Sequence, residues 1–160
     1  MTELTVRIEG EEAMVDFGRR LGDLFQGGER CYLQGDLGAG KTTLVRGMLR
    51  ARGHQGAVKS PTYTLIEPYE FESLTFYHLD LYRLGDPEEL EWVGVRDLFD
   101  AHAVSLIEWP ERGEGWLPPA DLAIAIAHAG PAREVRLAGQ SERGNEIVNQ
   151  LAESHNSTDL

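Results

Sequence analysis

A short apolar run, Cys31-Tyr32-Leu33, leads into Gly35-Asp36-Leu37-Gly38-Ala39-Gly40-Lys41-Thr42, and helical spacing begins at once afterwards. No other feature of the chain narrows its fold as far. The spacing matches G-x-x-x-x-G-K-[ST], a phosphate-binding loop set between a strand and a helix. Glycines let the backbone curl so that successive N–H groups point inward at phosphate oxygens. The following helix aims its positive end at the same point. Asp36, Leu37, Gly38, Ala39, Gly40, Lys41, Thr42 and Thr43 are therefore the expected phosphate-binding set. Lys41 is placed to reach the β- and γ-phosphates, and the Thr42 hydroxyl to bind Mg²⁺. The plain alternative is a glycine-rich turn before an ordinary helix.

A nucleotide-hydrolysing site also needs acids opposite the loop, usually at the end of an apolar strand. Leu74 to Leu79 ends in Asp80, and Val104 to Ile107 ends in Glu108. In parallel α/β sheets ligands sit at the carboxyl ends of strands, so both acids can face one site. One would hold Mg²⁺ or its waters and the other would position the attacking water. Either acid alone could instead be a solvated strand end. His78 shares a strand face with Asp80 and either tunes the site or is a hydrogen-bonded structural histidine. Trp109 points to the other strand face if the strand persists, where it packs near the nucleotide or serves as a core or rim aromatic. Arg46 and Arg50, four apart on a helix, read as a partner or RNA contact or as a solvated face.

Strands are expected at Thr5 to Ile8, Arg30 to Leu33, Leu74 to Leu79, Val104 to Trp109, Leu122 to Ile126 and Glu134 to Leu137. Helices are expected over Glu11 to Phe25, Lys41 to Arg52 and Ser141 to Leu151, with a helix start at Asp86-Pro87. Gly56 to Tyr69 reads as a loop broken by Pro61 and Pro68. The prediction is an α/β fold: a three-layer, P-loop NTPase-like domain with a mainly parallel central sheet. It occupies residues 1–153, with 154–160 as a flexible tail. The 160 residues suit one domain, since a domain takes ~100–200 residues.

Charge limits the partners. Fifteen Lys and Arg against 27 Asp and Glu give −12, a field that repels phosphate backbones and anionic membranes. The single cysteine, Cys31, excludes an intramolecular disulfide and reads as a buried small side chain. The acidic N-terminus does not read as a signal peptide, and no apolar run approaches the ~20 residues of a membrane span. The expected location is cytoplasmic.

Taken in order, Gly35 to Thr43, Ser60-Pro61-Thr62-Tyr63, His78-Leu79-Asp80-Leu81-Tyr82-Arg83-Leu84 and Ile107-Glu108-Trp109-Pro110-Glu111 resemble the bacterial TsaE (YjeE) ATPases. The resemblance spans about residues 10 to 138. It implies an ATPase required to make N6-threonylcarbamoyladenosine at position 37 of tRNAs reading codons that begin with A. Its partners would be the TsaB–TsaD transferase heterodimer, with tRNA met only through that complex. It also implies that Lys41 and Thr42 bind phosphate and Mg²⁺, that Glu108 lies near the metal, and that Asp80 serves hydrolysis. Ser60 to Tyr63 would be a switch-like loop near the γ-phosphate, and Arg133 would lie close to the nucleotide. The family commonly has a threonine after its early acidic run, where this chain has Ala13.

Three rivals remain at this level, one of them a nucleotide-binding module with no turnover, which mutation of the acids would leave unaffected. A GTPase would need Asn-Lys-x-Asp, but Asn145, Asn149 and Asn156 are the only asparagines and none precedes lysine. A small-molecule kinase is the runner-up, with Tyr82 to Arg96 as a lid bearing Arg83 and Arg96.

Overall fold

The computed structural model describes residues 2–59, 61, 65–92 and 94–158. The elements in chain order are β1 (Glu3–Ile8), α1 (Glu11–Gly22), β2 (Arg30–Gln34), α2 (Lys41–Ala51), β3 (Ile66–Glu70) and β4 (Thr75–Asp80). They continue with α3 (Glu89–Trp92), β5 (Ala103–Glu108), β6 (Leu122–Ala129), β7 (Ala132–Gly139) and α4 (Glu142–Thr158). Among the described residues, seven strands form one sheet in the order β1-β7-β6-β2-β5-β4-β3. The centre, β6-β2-β5-β4, is parallel. The flanking pairs β1–β7, β6–β7 and β3–β4 are antiparallel. The sheet is thus parallel where the phosphate loop leaves it and mixed at its margins.

All six residues of β5 are buried, as expected for a parallel strand covered on both faces. On one face, Cys31, Leu33, Phe76, Val104 and Leu106 join side chains from α1, α2 and α4 in one apolar cluster. On the other, Leu79 and Ile107 pack with Leu81, Leu84, Leu90 and Val95. A fully buried leucine is worth about 1.5–3 kcal/mol over an exposed one, so this second layer is held firmly. That packing holds Leu81, Leu84, Leu90 and Val95 against the sheet, where the sequence suggested a lid over Tyr82 to Arg96. Arg96, suggested for such a lid, lies exposed in an ion pair with Glu91 at 3.0 Å.

Several expected boundaries shift for identifiable reasons. Residues 66–70 form a strand, although Pro68 reads as a breaker. β3 pairs only with β4, so Pro68 sits on an edge strand where a missing N–H is tolerated. The helix expected after Pro87 shortens to Glu89–Trp92, preceded by a turn in which Asp86 Oδ1 accepts the Glu88 N–H at 2.9 Å. The last helix, expected over Ser141 to Leu151, runs from Glu142 to Thr158. Ile147, Val148 and Leu151 anchor it, and no glycine or proline interrupts 145–158.

The start of β2 is locked from two sides. Buried Glu29 accepts the N–H of Gln26 at 2.8 Å and of Gly27 at 2.7 Å, and Nε of Arg143 on α4 at 3.1 Å. Asp121 accepts the Arg30 N–H at 2.8 Å. Cys31 is fully buried, and that burial raises its thiol pKa, with Asp121 and Glu29 adding to the effect. Among the described residues no helix is long and apolar enough to cross a membrane.

α2 is pressed backbone to backbone onto α1 at Gly18 and Gly47. A Cβ at Gly47 would lie 2.3 Å from Val15 O and 2.9 Å from Gly18 Cα. Gly47→Ala should therefore destabilise the fold by about 1–3 kcal/mol, as overpacking does. Urea unfolding followed by circular dichroism checks this; an unchanged midpoint would mean the helices separate freely.

Candidate functional site

The parallel strands β2, β5 and β4 end side by side. Leu33 pairs with Glu108, and Glu108 pairs with Asp80, so both acids project from one face at the sheet's carboxyl edge. The loop from Gly35 to Gly40 leaves β2 at this edge and turns into α2. Two glycines make the turn possible. Gly35 has φ 153° and passes so close to β6 that a Cβ would lie 2.6 Å from Ile126 O. Gly40 has φ 115° at the N-cap of α2, a left-handed conformation.

Lys41 opens α2 and is only 4% exposed. Its Nζ donates to Gly35 O at 2.5 Å and lies 3.7 Å from the centroid of the Trp109 ring. Burial lowers its pKa below the usual lysine range, while Glu108, Asp80, Glu111 and Asp36 act in the opposite direction. Next in the chain, Thr42 Oγ1 donates to Glu108 Oε2 at 3.0 Å. The same oxygen lies 2.5 Å from His78 Nε2. Asp80 is buried beside them, and its Oδ1 accepts the Tyr82 N–H at 2.9 Å.

Trp109 does not continue β5. The strand stops at Glu108, and Trp109 takes φ 58°, which turns its ring back over Lys41 instead of onto the opposite sheet face. Tyr82 supports it, with ring centroids 5.0 Å apart. Arg133 reaches the loop from β7: Nε donates to Ala39 O at 3.1 Å, and a terminal nitrogen donates to Ala132 O at 3.2 Å. Arg46 pairs with Glu11, and Arg50 donates to the carbonyls of His54 and Gly56, both at 3.0 Å. Both arginines are engaged within the chain.

Two cavities meet at the loop. One of about 450 Å³ is bounded by Lys41, Thr42, Asp80, Arg83, Glu108 and Trp109. The other, about 330 Å³, lies between Glu11, Met14, Pro131 and Arg133. Gly38, Gly40 and Thr43 border both. Loop N–H groups, a helix start and a lysine make the shared wall suited to polyphosphate oxygens. A hydroxyl hydrogen-bonded to a carboxylate fits a hard cation that keeps waters and phosphates among its ligands. Among the described residues no group of three or more His, Cys, Asp or Glu gathers as a metal site. The oxygen donors present, Thr42 Oγ1 and the Glu108 carboxylate, are of the type that a hard cation such as Mg²⁺ takes.

Asp36 and Leu37 stand exposed on the outer rim of the loop, with Leu37 63% exposed, and Ala39 faces inward. Ser60, Thr62 and Tyr63 lie outside the described residues. The residues not anticipated are Gly35 as the carbonyl partner of Lys41, Tyr82 under Trp109, and Met14 and Pro131 in the second cavity. The second cavity brings residues near 10, 40 and 131 together only through the β1–β7 and α1–α2 contacts, which leave no local pattern in the chain.

Comparison with known proteins gives a consistent relationship. The family described as threonylcarbamoyl adenosine biosynthesis protein TsaE matches residues 8–135. The tRNA threonylcarbamoyladenosine biosynthesis protein TsaE of Haemophilus influenzae is 47% identical over 157 residues, covering 95% of this chain and 99% of that one. The protein of the same name from Bacillus subtilis is 37% identical over 130 residues, 81% of each chain. The crystal structure of Bacillus subtilis YdiB superposes with a TM-score of 0.84 at 28% identity, covering 96% of this chain and 97% of that one. This chain belongs to the TsaE family of threonylcarbamoyladenosine biosynthesis proteins.

Proposed function

We propose that the chain binds and hydrolyses ATP as the energy-supplying subunit of a tRNA-modifying assembly. The assembly would form threonylcarbamoyladenosine at position 37 of tRNAs reading codons that begin with A, with TsaB and TsaD as the transferase heterodimer. One observation carries this reading: Lys41, Thr42, Asp80 and Glu108 converge at the carboxyl ends of adjacent parallel strands beside a glycine loop. Family membership supports the pathway, and this convergence supports the chemistry.

In this reading the triphosphate lies along residues 36–43, and Lys41 leaves Gly35 O to contact the β- and γ-phosphates. The Trp109 face then remains beside the phosphate site as an apolar wall. Arg133 braces the loop through Ala39 O while lining the second cavity, which would take the base end of the nucleotide. Mg²⁺ held by Thr42, with Glu108 behind it, would neutralise charge on the phosphates. Asp80 is the acid left to orient the attacking water. A kinase reading would use Tyr82 to Arg96 as a lid, whereas Leu84, Leu90 and Val95 are buried against Leu79 and Ile107 of the sheet.

The same reading places tRNA at second hand. A chain of −12 has little affinity of its own for nucleic acid at physiological salt, so contact would run through the partners, in the cytoplasm. Leu65 N–H donates to Pro61 O at 2.8 Å, and Asp80 N–H to Leu65 O at 3.1 Å. These bonds tie Pro61 and Leu65 to the acid that would orient water. The segment ending at Leu65 is the proposed coupling element through which γ-phosphate contacts bias docking.

Lys41→Ala is expected to weaken ATP binding by about tenfold or more, since it removes the loop's only full positive charge. Titration with a fluorescent ATP analogue decides it; unchanged affinity and turnover would remove Lys41 from the site. Asp80→Asn is expected to lower turnover about 100-fold with ATP still bound, the scale of a lost proton-transfer or water-orienting group. Glu108→Gln is expected instead to raise the Mg²⁺ concentration needed for half-maximal rate about tenfold. Phosphate release across a Mg²⁺ series separates the two acids, and wild-type behaviour in both would mean that the site is elsewhere. Purified TsaB–TsaD is expected to accelerate hydrolysis, and Lys41→Ala to abolish multi-turnover tRNA modification. Full modification with that variant would overturn the partnership.

A further inference from the structure

His78 is fully buried in the middle of β4. Only one of its ring nitrogens is used. Nε2 lies 2.5 Å from Glu108 Oε2, whereas Nδ1 is buried with no partner among the described residues. A histidine kept for the fold alone would have both nitrogens matched, because an unmatched buried polar atom is destabilising. The second fact concerns the oxygen it meets. Glu108 Oε2 also receives the Thr42 hydroxyl at 3.0 Å, so one carboxylate oxygen takes two donors. An oxygen accepting two hydrogen bonds has its lone pairs filled, which leaves Oε1 to serve the metal or its waters.

We propose that His78 is a positioning residue: its Nε2–H holds Glu108 in the rotamer that pairs it with Thr42 and frees the second oxygen for the Mg²⁺ site. The inference rests on the Mg²⁺-nucleotide reading given above. The ring carries its proton on Nε2, and Nδ1 is left as a bare lone pair, the less demanding of the two orphans. β4 supplies the geometry. His78 pairs across the sheet with Leu106 and Asp80 with Glu108, so the imidazole reaches diagonally along the face to the strand-end carboxylate. The arrangement is the outer-shell histidine–carboxylate pairing that orients metal ligands, with the roles of the two side chains exchanged.

The test compares affinity for ADP in Mg²⁺ with affinity in EDTA, measured by calorimetry on the wild type, His78→Gln and His78→Asn. The glutamine amide reaches the place of Nε2 and the asparagine amide only that of Nδ1. The gain in affinity produced by Mg²⁺ is expected to fall about tenfold in His78→Asn and to be largely kept in His78→Gln. Equal gains in both variants, equal losses in both, or a loss as large in EDTA as in Mg²⁺ would each overturn the positioning role. A wild-type affinity indifferent to Mg²⁺ would instead overturn the Mg²⁺ reading itself, and this inference with it. The ¹⁵N spectrum of the wild-type imidazole gives an answer that needs no variant. A proton on Nε2 supports the proposal, and a proton on Nδ1 alone contradicts it.

Discussion

Three charged side chains lie almost out of water at one edge of the sheet: Lys41 and Asp80 at 4% exposure and Glu108 at 3%. Burying an unpaired charge is strongly unfavourable, so such groups persist only where each finds donors, acceptors or opposite charge. Here Lys41 uses Gly35 O and the Trp109 face, Glu108 uses Thr42 and His78, and Asp80 uses the turn at Tyr82. In the lining of this cleft Lys41 and Arg83 stand against Asp80 and Glu108, two cations to two carboxylates. A triphosphate, as proposed, would bring negative charge into it, which the loop N–H groups, the α2 dipole and a divalent cation would offset. On the proposed reading, nucleotide and metal would therefore enter the site together.

The rest of the molecule holds that edge in place. α2 carries Lys41 and Thr42, and its axis is fixed by the glycine contact with α1, where Gly18 and Gly47 bring backbone against backbone. β2 delivers the loop, and its start is clamped by Glu29, Arg143 and Asp121, which tie it to α4 and β6. Arg133 fastens the loop crown to β7. A displacement of any of these elements by about 1 Å would open the short bonds around Glu108 and Lys41, on which reaction geometry depends steeply.

Much of this was legible in the chain. The glycine spacing from Gly35 to Lys41 carries its own backbone requirement, and Asp80 and Glu108 close apolar runs that can only be interior strands. Tertiary decisions were not legible. Pro68 reads as a breaker until its strand is known to be an edge, and Trp109 reads as strand until its positive φ turns the ring toward Lys41. Arg133 lies far from the loop in sequence, and only the pairing of β7 with β1 and β6 brings it to Ala39. His78 was ambiguous because its meaning lies in a diagonal contact with Glu108 on the neighbouring strand, which spacing along one strand cannot express.

The central claim is that one site, made where β2, β5 and β4 end, binds the phosphates and the metal at once. A crystal structure with Mg²⁺ and a non-hydrolysable ATP analogue tests it most directly. The account predicts the triphosphate along residues 36–43, Lys41 Nζ moved from Gly35 O to the phosphates, and the metal beside Thr42 with Glu108 behind it. A triphosphate bound elsewhere, or Lys41 still held by Gly35 O and the Trp109 ring with nucleotide present, would contradict it.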